Sequence, residues 1–386
     1  MQKEFSMFTN QSSMRMNSKI DVVAFYLPQY HPTPENNEWY GTGFTEWTNV
    51  GKARPLFRGH YQPKVPADLG YYDLRIPEVR KQQAELAREA GITAFCYYHY
   101  WFGHGKMLLH EPIEWMLEDG QPDIPFCLCW ANHKWYNKTW NSAKSVLDKK
   151  ELIGIDYGDE ADWKLHFETL LPAFMSKRYY RIDNRLVFVL YRIQDIPNVE
   201  AFKRTWNQLA LEHNLSEFYF VNYIDDIAKL DDPIQNCCEK KVVMLKANIS
   251  SKGKHTFGRK LSRFIKSLIS QIMHYPLGIY DYSSIRKKLS GAIFADESVI
   301  PTLLPNWDNT PRRAEGAVVL HEATPHQFYL HCKETFSYLR NKKNRVVFLK
   351  SWNEWGEGNY MEPCIKYKHG YIEALRRALD EDAAGQ

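Results

Sequence analysis

Two glutamates three residues apart, Glu354 and Glu357, stand in the stretch Ser351-Trp352-Asn353-Glu354-Trp355-Gly356-Glu357-Gly358. A carboxyl that gives a proton and a carboxylate that takes one are the minimum equipment for acid/base work on a glycosidic bond. Indole faces stack on pyranose rings, and a dry wall raises a carboxyl pKa so that it keeps its proton near neutrality. A solvated loop would account for an i,i+3 Glu pair alone, whereas the flanking Trp352 and Trp355 and two glycines favour a site. Immediately upstream, Val346-Val347-Phe348-Leu349 is an unbroken apolar run, the pattern of a strand buried on both faces. Such a strand, stopping abruptly in rings and acids, is where an α/β barrel keeps its chemistry.

The elements that must position this pair are legible as seven further runs. Strands are expected at 21–27, 92–98, 125–130, 186–191, 218–223, 242–245 and 299–305, with 345–350 as the eighth. Helical spacing fills Pro77 to Ala90, opened by its proline and stopped by Gly91, and further helices fit 111–118, 160–175, 199–213, 326–340 and 370–379. This alternation predicts a single-domain (β/α)8 TIM barrel over residues 21–380, preceded by a flexible polar tail at 1–20. The connection at 32–76 is long for a compact domain and reads as functional; it carries Trp39, Glu46 and Trp47.

In such a barrel the C-terminal strand ends share one mouth. Those ends supply Tyr26, Gln29 and His31, then Tyr98, His99 and Trp101, then Trp130 and Asn132. Tyr191, Asn222, Trp307 and Asp308 follow, with Trp352, Asn353 and Trp355 beside the glutamates. Each alone has a packing explanation. Taken together they predict an aromatic, hydroxyl-reading, acidic pocket for an oligo- or polysaccharide.

Composition bounds the remaining classes. A net charge of +4 over 386 residues is too mild to imply a nucleic acid partner. Seven cysteines, three of them inside apparent strands, read as reduced thiols rather than a disulfide framework, and their spacing suits no zinc site. The first twenty residues lack the apolar centre of a signal peptide and no run is long enough to span a membrane, which points to the cytoplasm. Residues 251–290 hold nine Lys/Arg against one acid, with Leu261, Phe264, Ile265, Leu268, Ile269 and Ile272 at helical spacing. A barrel-packing helix with a basic outer face explains this. The sharper reading is peripheral contact of residues 252–288 with an anionic membrane or a lipid-linked glycan.

Ordered aromatic motifs carry a family resemblance: AFYLPQYHP at 24–32, WYGTGFTEWTNV at 39–50, HYQPKVPADLGYYDL at 60–74 and AGITAFCYYHYWF at 90–102. FCLCWANHKW at 126–135, NWDNTPRR at 306–313 and SWNEWGEGNYMEP at 351–363 continue it. The chain resembles the WbsX-type proteins of bacterial polysaccharide gene clusters, which are glycoside hydrolase family 99-like. The resemblance implies a (β/α)8 barrel related to retaining endo-acting α-mannosidases and α-mannanases. It also implies roles: Glu354 as the base that activates the sugar's own 2-hydroxyl, giving a 1,2-anhydro sugar, and Glu357 as general acid/base. That differs from the usual retaining scheme, in which a carboxylate attacks. Such chemistry requires no metal or cofactor, because protonated Glu357 serves the leaving group. The alternatives are a glycosyltransferase of O-antigen, lipopolysaccharide or capsule biosynthesis, and a non-catalytic glycan-binding barrel. Against the transferase, no glycine-rich nucleotide-binding turn follows a strand.

Overall fold

The computed structural model describes residues 19–137, 150–225, 229–244, 276 and 278–385. Eight strands close on themselves: β1 (Asp21–Tyr26), β2 (Ala94–Trp101), β3 (Phe126–Trp130), β4 (Arg185–Leu190), β5 (Phe218–Ile224), β6 (Lys240–Val243), β7 (Val299–Leu303) and β8 (Val346–Leu349). Every neighbouring pair is parallel, and β1 pairs with both β2 and β8, which leaves no edge. The (β/α)8 barrel expected from the sequence is therefore present. Parallel strands wrapped by helices are covered on both faces, and for that reason they read as unbroken apolar runs such as VVAFY and LVFVL.

Two short helices, α1 (Pro34–Tyr40) and α2 (Glu46–Gly51), occupy the long first connection. The outer ring comprises α3 (Pro77–Ala90), α4 (Glu111–Asp119), α5 (Glu160–Phe174) and α6 (Val199–Glu212), then α7 (Tyr282–Leu289). The ring is completed by α9 (Pro325–Ser337) and α10 (Gly370–Ala384), while the one-turn α8 (Thr310–Arg313) lies in the connection after β7, against the turn that follows β8. Helix α3 matches its expected span, with Pro77 in its first turn and Gly91 closing it at φ 87°. The expected tail and the basic helical stretch at 261–273 lie outside the described residues. Of the basic segment, α7 is described; it buries Tyr282, Ile285 and Leu289, and its Arg286 bonds Glu334 of α9. Among the described residues no helix is long and apolar enough to cross a membrane.

The strands' alternation of faces sorts the aromatic side chains. Inside the barrel Phe25 stacks on Tyr98 at 5.4 Å and meets Phe348 at 5.2 Å and Tyr223 at 5.8 Å. Cys96, Cys127 and Cys129 are buried free thiols. On the outer face Trp206 of α6 is fully buried against Phe188, Phe202 and Phe218, an anchor whose truncation to alanine would cost about 3–5 kcal/mol. One difference from the expected strands matters for the site. Strand β2 runs on to Trp101, three residues past its expected end, so His99 and Trp101 are ordinary outward-facing strand positions and Tyr100 shares the inward parity of Tyr98.

Candidate active site

The segment leaving β8 turns back on itself as a tight antiparallel bridge, Asn353 against Tyr360 and Glu354 against Asn359, which sets both glutamates in one turn. Its entry is tied to the exit of β1. The Asn353 side chain donates to the Leu27 carbonyl at 3.1 Å and accepts from the Leu27 amide at 2.8 Å, imitating a further rung of the sheet. Tyr30 donates to the Asn353 carbonyl and accepts from the Trp355 amide at 3.3 Å. On the far side the Asp308 amide donates to the Glu357 carbonyl at 2.8 Å.

Two glycines make the turn feasible. At Gly356 a Cβ would lie 1.4 Å from Oε1 of Glu46, so the Glu46 carboxylate occupies the room that any other side chain would need. Gly358 has φ +53° and would place a Cβ 2.4 Å from Nζ of Lys64.

Arg312 is the hub of the charges. Its Nε donates to Oε1 of Glu46 at 2.8 Å, while its Nη1 lies 3.1 Å from Oε1 of Glu354 and 3.1 Å from Oε1 of Glu357. The two candidate catalytic oxygens thus lie no further apart than twice 3.1 Å, compatible with the roughly 5–5.5 Å of retaining enzymes. Glu354 carries a second cation, Nζ of Lys350 at 2.7 Å from its Oε2, and that ammonium sits 5.6 Å over Trp307. Burial opposes the charge of Arg312, yet Glu46, Glu357 and Glu354 hold its guanidinium above the usual range. Glu46 is fully buried; burial raises its pKa to about 7 against the pull of Arg312.

Tyrosine hydroxyls face this cluster. Burial and then the charge of Glu354 hold Tyr98 and Tyr100 well above the ordinary range, so both remain protonated donors. Tyr191 is raised by burial and by Glu357 and Glu354, and it stacks on Tyr223 at 4.3 Å. A cleft of ≈ 190 Å³ opens against Tyr191 and Tyr223, bordered by His133, Arg192 and Lys229. Burial lowers the His133 pKa to about 4, leaving that ring neutral.

The sequence-expected residues divide, those on strands by parity, because successive side chains point to opposite faces, and those beyond the strand ends by the course of their loops. Glu46, Tyr98, Tyr191 and Trp307 come together around the glutamates. Six others leave the mouth. Tyr26 donates to Gln83 of α3 at 2.8 Å, His31 lies 3.4 Å from Glu111 of α4, and Asn222 bonds Gln235. His99 meets His166 of α5 at 2.8 Å, Trp101 stacks on that His166 ring at 4.5 Å, and Trp130 packs on Phe202 of α6. The two histidines are desolvated and stay neutral, His99 with its pKa lowered to about 3.

Others are supports. Asn132 brackets the backbone of Arg192, donating at 2.9 Å and accepting at 2.8 Å. Asp308 accepts from Gln62 at 2.7 Å and Thr310 at 2.6 Å, lies 2.9 Å from His60, and anchors the loop that bonds Glu357. Trp352 and Trp355 are both 0% exposed, Trp352 against Phe95 and Trp355 stacked on Tyr360 at 3.8 Å with its Nε1 bonded to Glu362. Trp47 packs between Tyr30, Tyr72 and Trp355. Trp39 meets Trp135 edge-on at 6.2 Å, and Gln29 is buried, its carbonyl accepting from the Glu46 amide at 3.1 Å. Among the described residues no three His, Cys, Asp or Glu side chains are grouped to hold a metal.

Sequence reasoning missed Arg312, Lys350, Tyr100 and Tyr223. Period-two spacing from Tyr98 could have found Tyr100, and a lysine one step beyond a buried strand could have flagged Lys350. Arg312 had only the need of buried carboxylates for a cation to point to it.

Comparisons with known proteins agree with this architecture. Residues 22–375 match the family described as Glycosyltransferase WbsX. The chain is 34% identical over 363 residues to the uncharacterized protein WxcX of Xanthomonas campestris pv. campestris (strain B100). WxcX of strain ATCC 33913 is equally similar. The match covers 93% of this chain and 49% of WxcX, so the chain spans about half the length of the curated relatives it matches. In structure it is similar to the GH99 endo-α-mannosidase from Bacteroides thetaiotaomicron in complex with bis-tris-propane, with TM-score 0.58, 12% identity, and coverage of 96% of this chain and 100% of that one. A glycoside hydrolase-like protein gives TM-score 0.57 at 13% identity, covering 98% and 97%. At such identities the structural likeness shows the barrel. With the family match spanning nearly the whole sequence, the chain belongs to the WbsX family.

Proposed function

We propose that the chain is a carbohydrate-active enzyme that cleaves or transfers α-linked, mannose-configured glycosidic bonds of a bacterial surface polysaccharide, with retention, through a 1,2-anhydro sugar. The observation that carries this reading is the pair Glu354 and Glu357 at the end of β8, both held by one buried guanidinium and faced by tyrosine hydroxyls. Glu354 takes the proton of the substrate 2-hydroxyl; O2 bonds to C1 as the C1–O bond to the leaving group breaks, and Glu357 protonates the leaving oxygen. Glu357 then deprotonates the incoming water or sugar hydroxyl, whose oxygen attacks C1 as the C1–O2 bond breaks and O2 recovers its proton from Glu354. Lys350 and Arg312 fix one oxygen each of Glu354, and the remaining lone pairs are left for the hydroxyl. Purified protein incubated with α-mannooligosaccharides should release shorter products that keep the α configuration by NMR. Inverted product, or none with a panel of α-mannosides, would refute this reading.

The family description favours a second reading, a glycosyltransferase of polysaccharide assembly. Calorimetry with nucleotide sugars separates the two: tight binding and transfer without hydrolysis would establish the transferase.

A further inference from the structure

Three carboxylates and two cations share the buried cluster: Glu46, Glu354 and Glu357 against Arg312 and Lys350. Fully ionised, it would carry an uncompensated negative charge in a site shielded from water, so binding one proton is favoured. Glu46 is placed to hold that proton. Its Oε1 is bonded to Arg312, and its Oε2 has no hydrogen-bond partner among the described residues. The groups facing it from the surrounding elements are Arg312 of α8, Glu354 and Glu357 of the β8 loop, Tyr30 beyond β1, and Lys52 after α2. With no exposed surface of its own, Glu46 acts on substrate only through its neighbours.

We propose that Glu46 and Arg312 are positioning residues that apportion positive charge to the Glu354/Glu357 pair, and so set the pH at which Glu357 gives up its proton. When Glu46 is ionised, Arg312 is divided among three carboxylates and Glu357 keeps its proton to higher pH. When Glu46 is neutral, the guanidinium belongs to Glu354 and Glu357 alone, and Glu357 is the more acidic. The raised pKa of Glu46, about 7, puts this exchange near neutrality. The inference rests on the acid/base roles proposed above, so its test includes a readout that needs no substrate.

The variant is Glu46→Gln, which keeps the shape and fixes the neutral state. In kcat/KM against pH, the high-pH edge should move down by roughly one unit. An unmoved edge with a uniform loss at every pH would mean a merely structural residue and overturn the proposal. Without substrate, the melting temperatures of wild type and E46Q are compared from pH 5 to 8. A carboxyl whose folded pKa is raised loses stability as pH rises from its unfolded value through the folded one, and Gln does not titrate. The gap in favour of E46Q should therefore widen with pH; a constant gap overturns the proposal. A widening gap with no turnover of any α-mannoside would support the shared proton while refuting the hydrolase reading. Should E46Q not fold, infrared difference spectra of an E357Q/E362Q protein, in which the proposed general acid and the second raised carboxyl among the described residues no longer titrate, still report on Glu46. A protonated-carboxyl band that fades as pH rises through neutrality supports the proposal, and its absence overturns it.

Discussion

Replacing Gly356 by alanine tests the geometry at its tightest point. The φ of Gly356 lies outside the left-handed region, so alanine has no backbone objection there. The obstacle is steric: the new Cβ would sit 1.4 Å from Oε1 and 2.6 Å from Cδ of Glu46, and 3.1 Å from Nε of Arg312. Glu46 is 0% exposed and cannot swing into solvent, so the substitution must break its pair with Arg312. Breaking one partner from a buried ion pair costs about 3–5 kcal/mol. In an E46A background the obstructing carboxylate is absent, and G356A should cost no more than about 1 kcal/mol. The coupling between the two positions is then roughly 2–4 kcal/mol, well above the scatter of independent sites. Urea unfolding of the four proteins, fitted with a common m-value, measures it. Equal cost of G356A in both backgrounds, or less than about 1 kcal/mol in the wild type, would refute the placement of Glu46 beneath the Glu354–Glu357 turn.

Further substitutions probe the surrounding roles. E357Q and E354Q should each lower turnover of an α-mannoside by about 10²–10⁴ while leaving the melting curve cooperative, and undiminished activity in either would dismiss its role. Burial opposes the charge of Asp308, but Lys64, His60 and Thr310 hold its pKa well below the usual carboxylate range. Its stability contribution is thus present above the ordinary aspartate pKa and lost as pH falls, so D308N should cost about 3–5 kcal/mol at pH 7 and flatten the acid limb of a Tm–pH curve. Glu362 shows the opposite sign. Burial raises it to about 7 despite bonds from Trp355, Gln83 and Tyr72, so wild type should lose roughly 3 kcal/mol between pH 4.5 and 8 that E362Q does not lose, read by chemical denaturation at each pH.

The barrel was legible because its signals are local. Val346–Leu349 or Arg185–Leu190 needs covering on both faces, and only a sheet wrapped by helices provides it. The turn of Glu354 and Glu357 was legible for the same reason, since an apolar run that ends in acids marks a barrel mouth. What failed was parity. Reading every polar or aromatic residue near a strand end into the mouth put His99 beside Tyr98, although adjacent strand residues face opposite ways and His99 meets His166 beneath α5. The tryptophans misled differently. Trp352 and Trp355 do flank the acids, but as packing that fixes the turn from behind, and a residue name carries no information on which side of a loop its ring lies. Arg312 was illegible in another sense: it meets Glu46 across 266 residues, and no periodicity relates positions so far apart.

The unequal surroundings of the two glutamates suit the different roles proposed for them. Glu354 is gripped by Lys350 on one oxygen and by Arg312 on the other, and it is buried at 6% exposure. Glu357 also meets Arg312, is less deeply buried, and has its backbone held by Asp308. A base that must receive a proton from a sugar hydroxyl and later return it to the same oxygen benefits from being immobile, since both transfers involve one atom at one place. A group that serves first the leaving oxygen and then the incoming one must face the open side, where one departs and the other arrives. The more deeply buried residue therefore suits the internal step and the more exposed one the exchange with solvent. Lys350 ties this division to the wall of the pocket, since it lies 2.7 Å from Glu354, 3.4 Å from the Tyr98 hydroxyl and over the ring of Trp307. Neutralising it should therefore loosen Glu354 first and leave the exchange at Glu357 the less affected step.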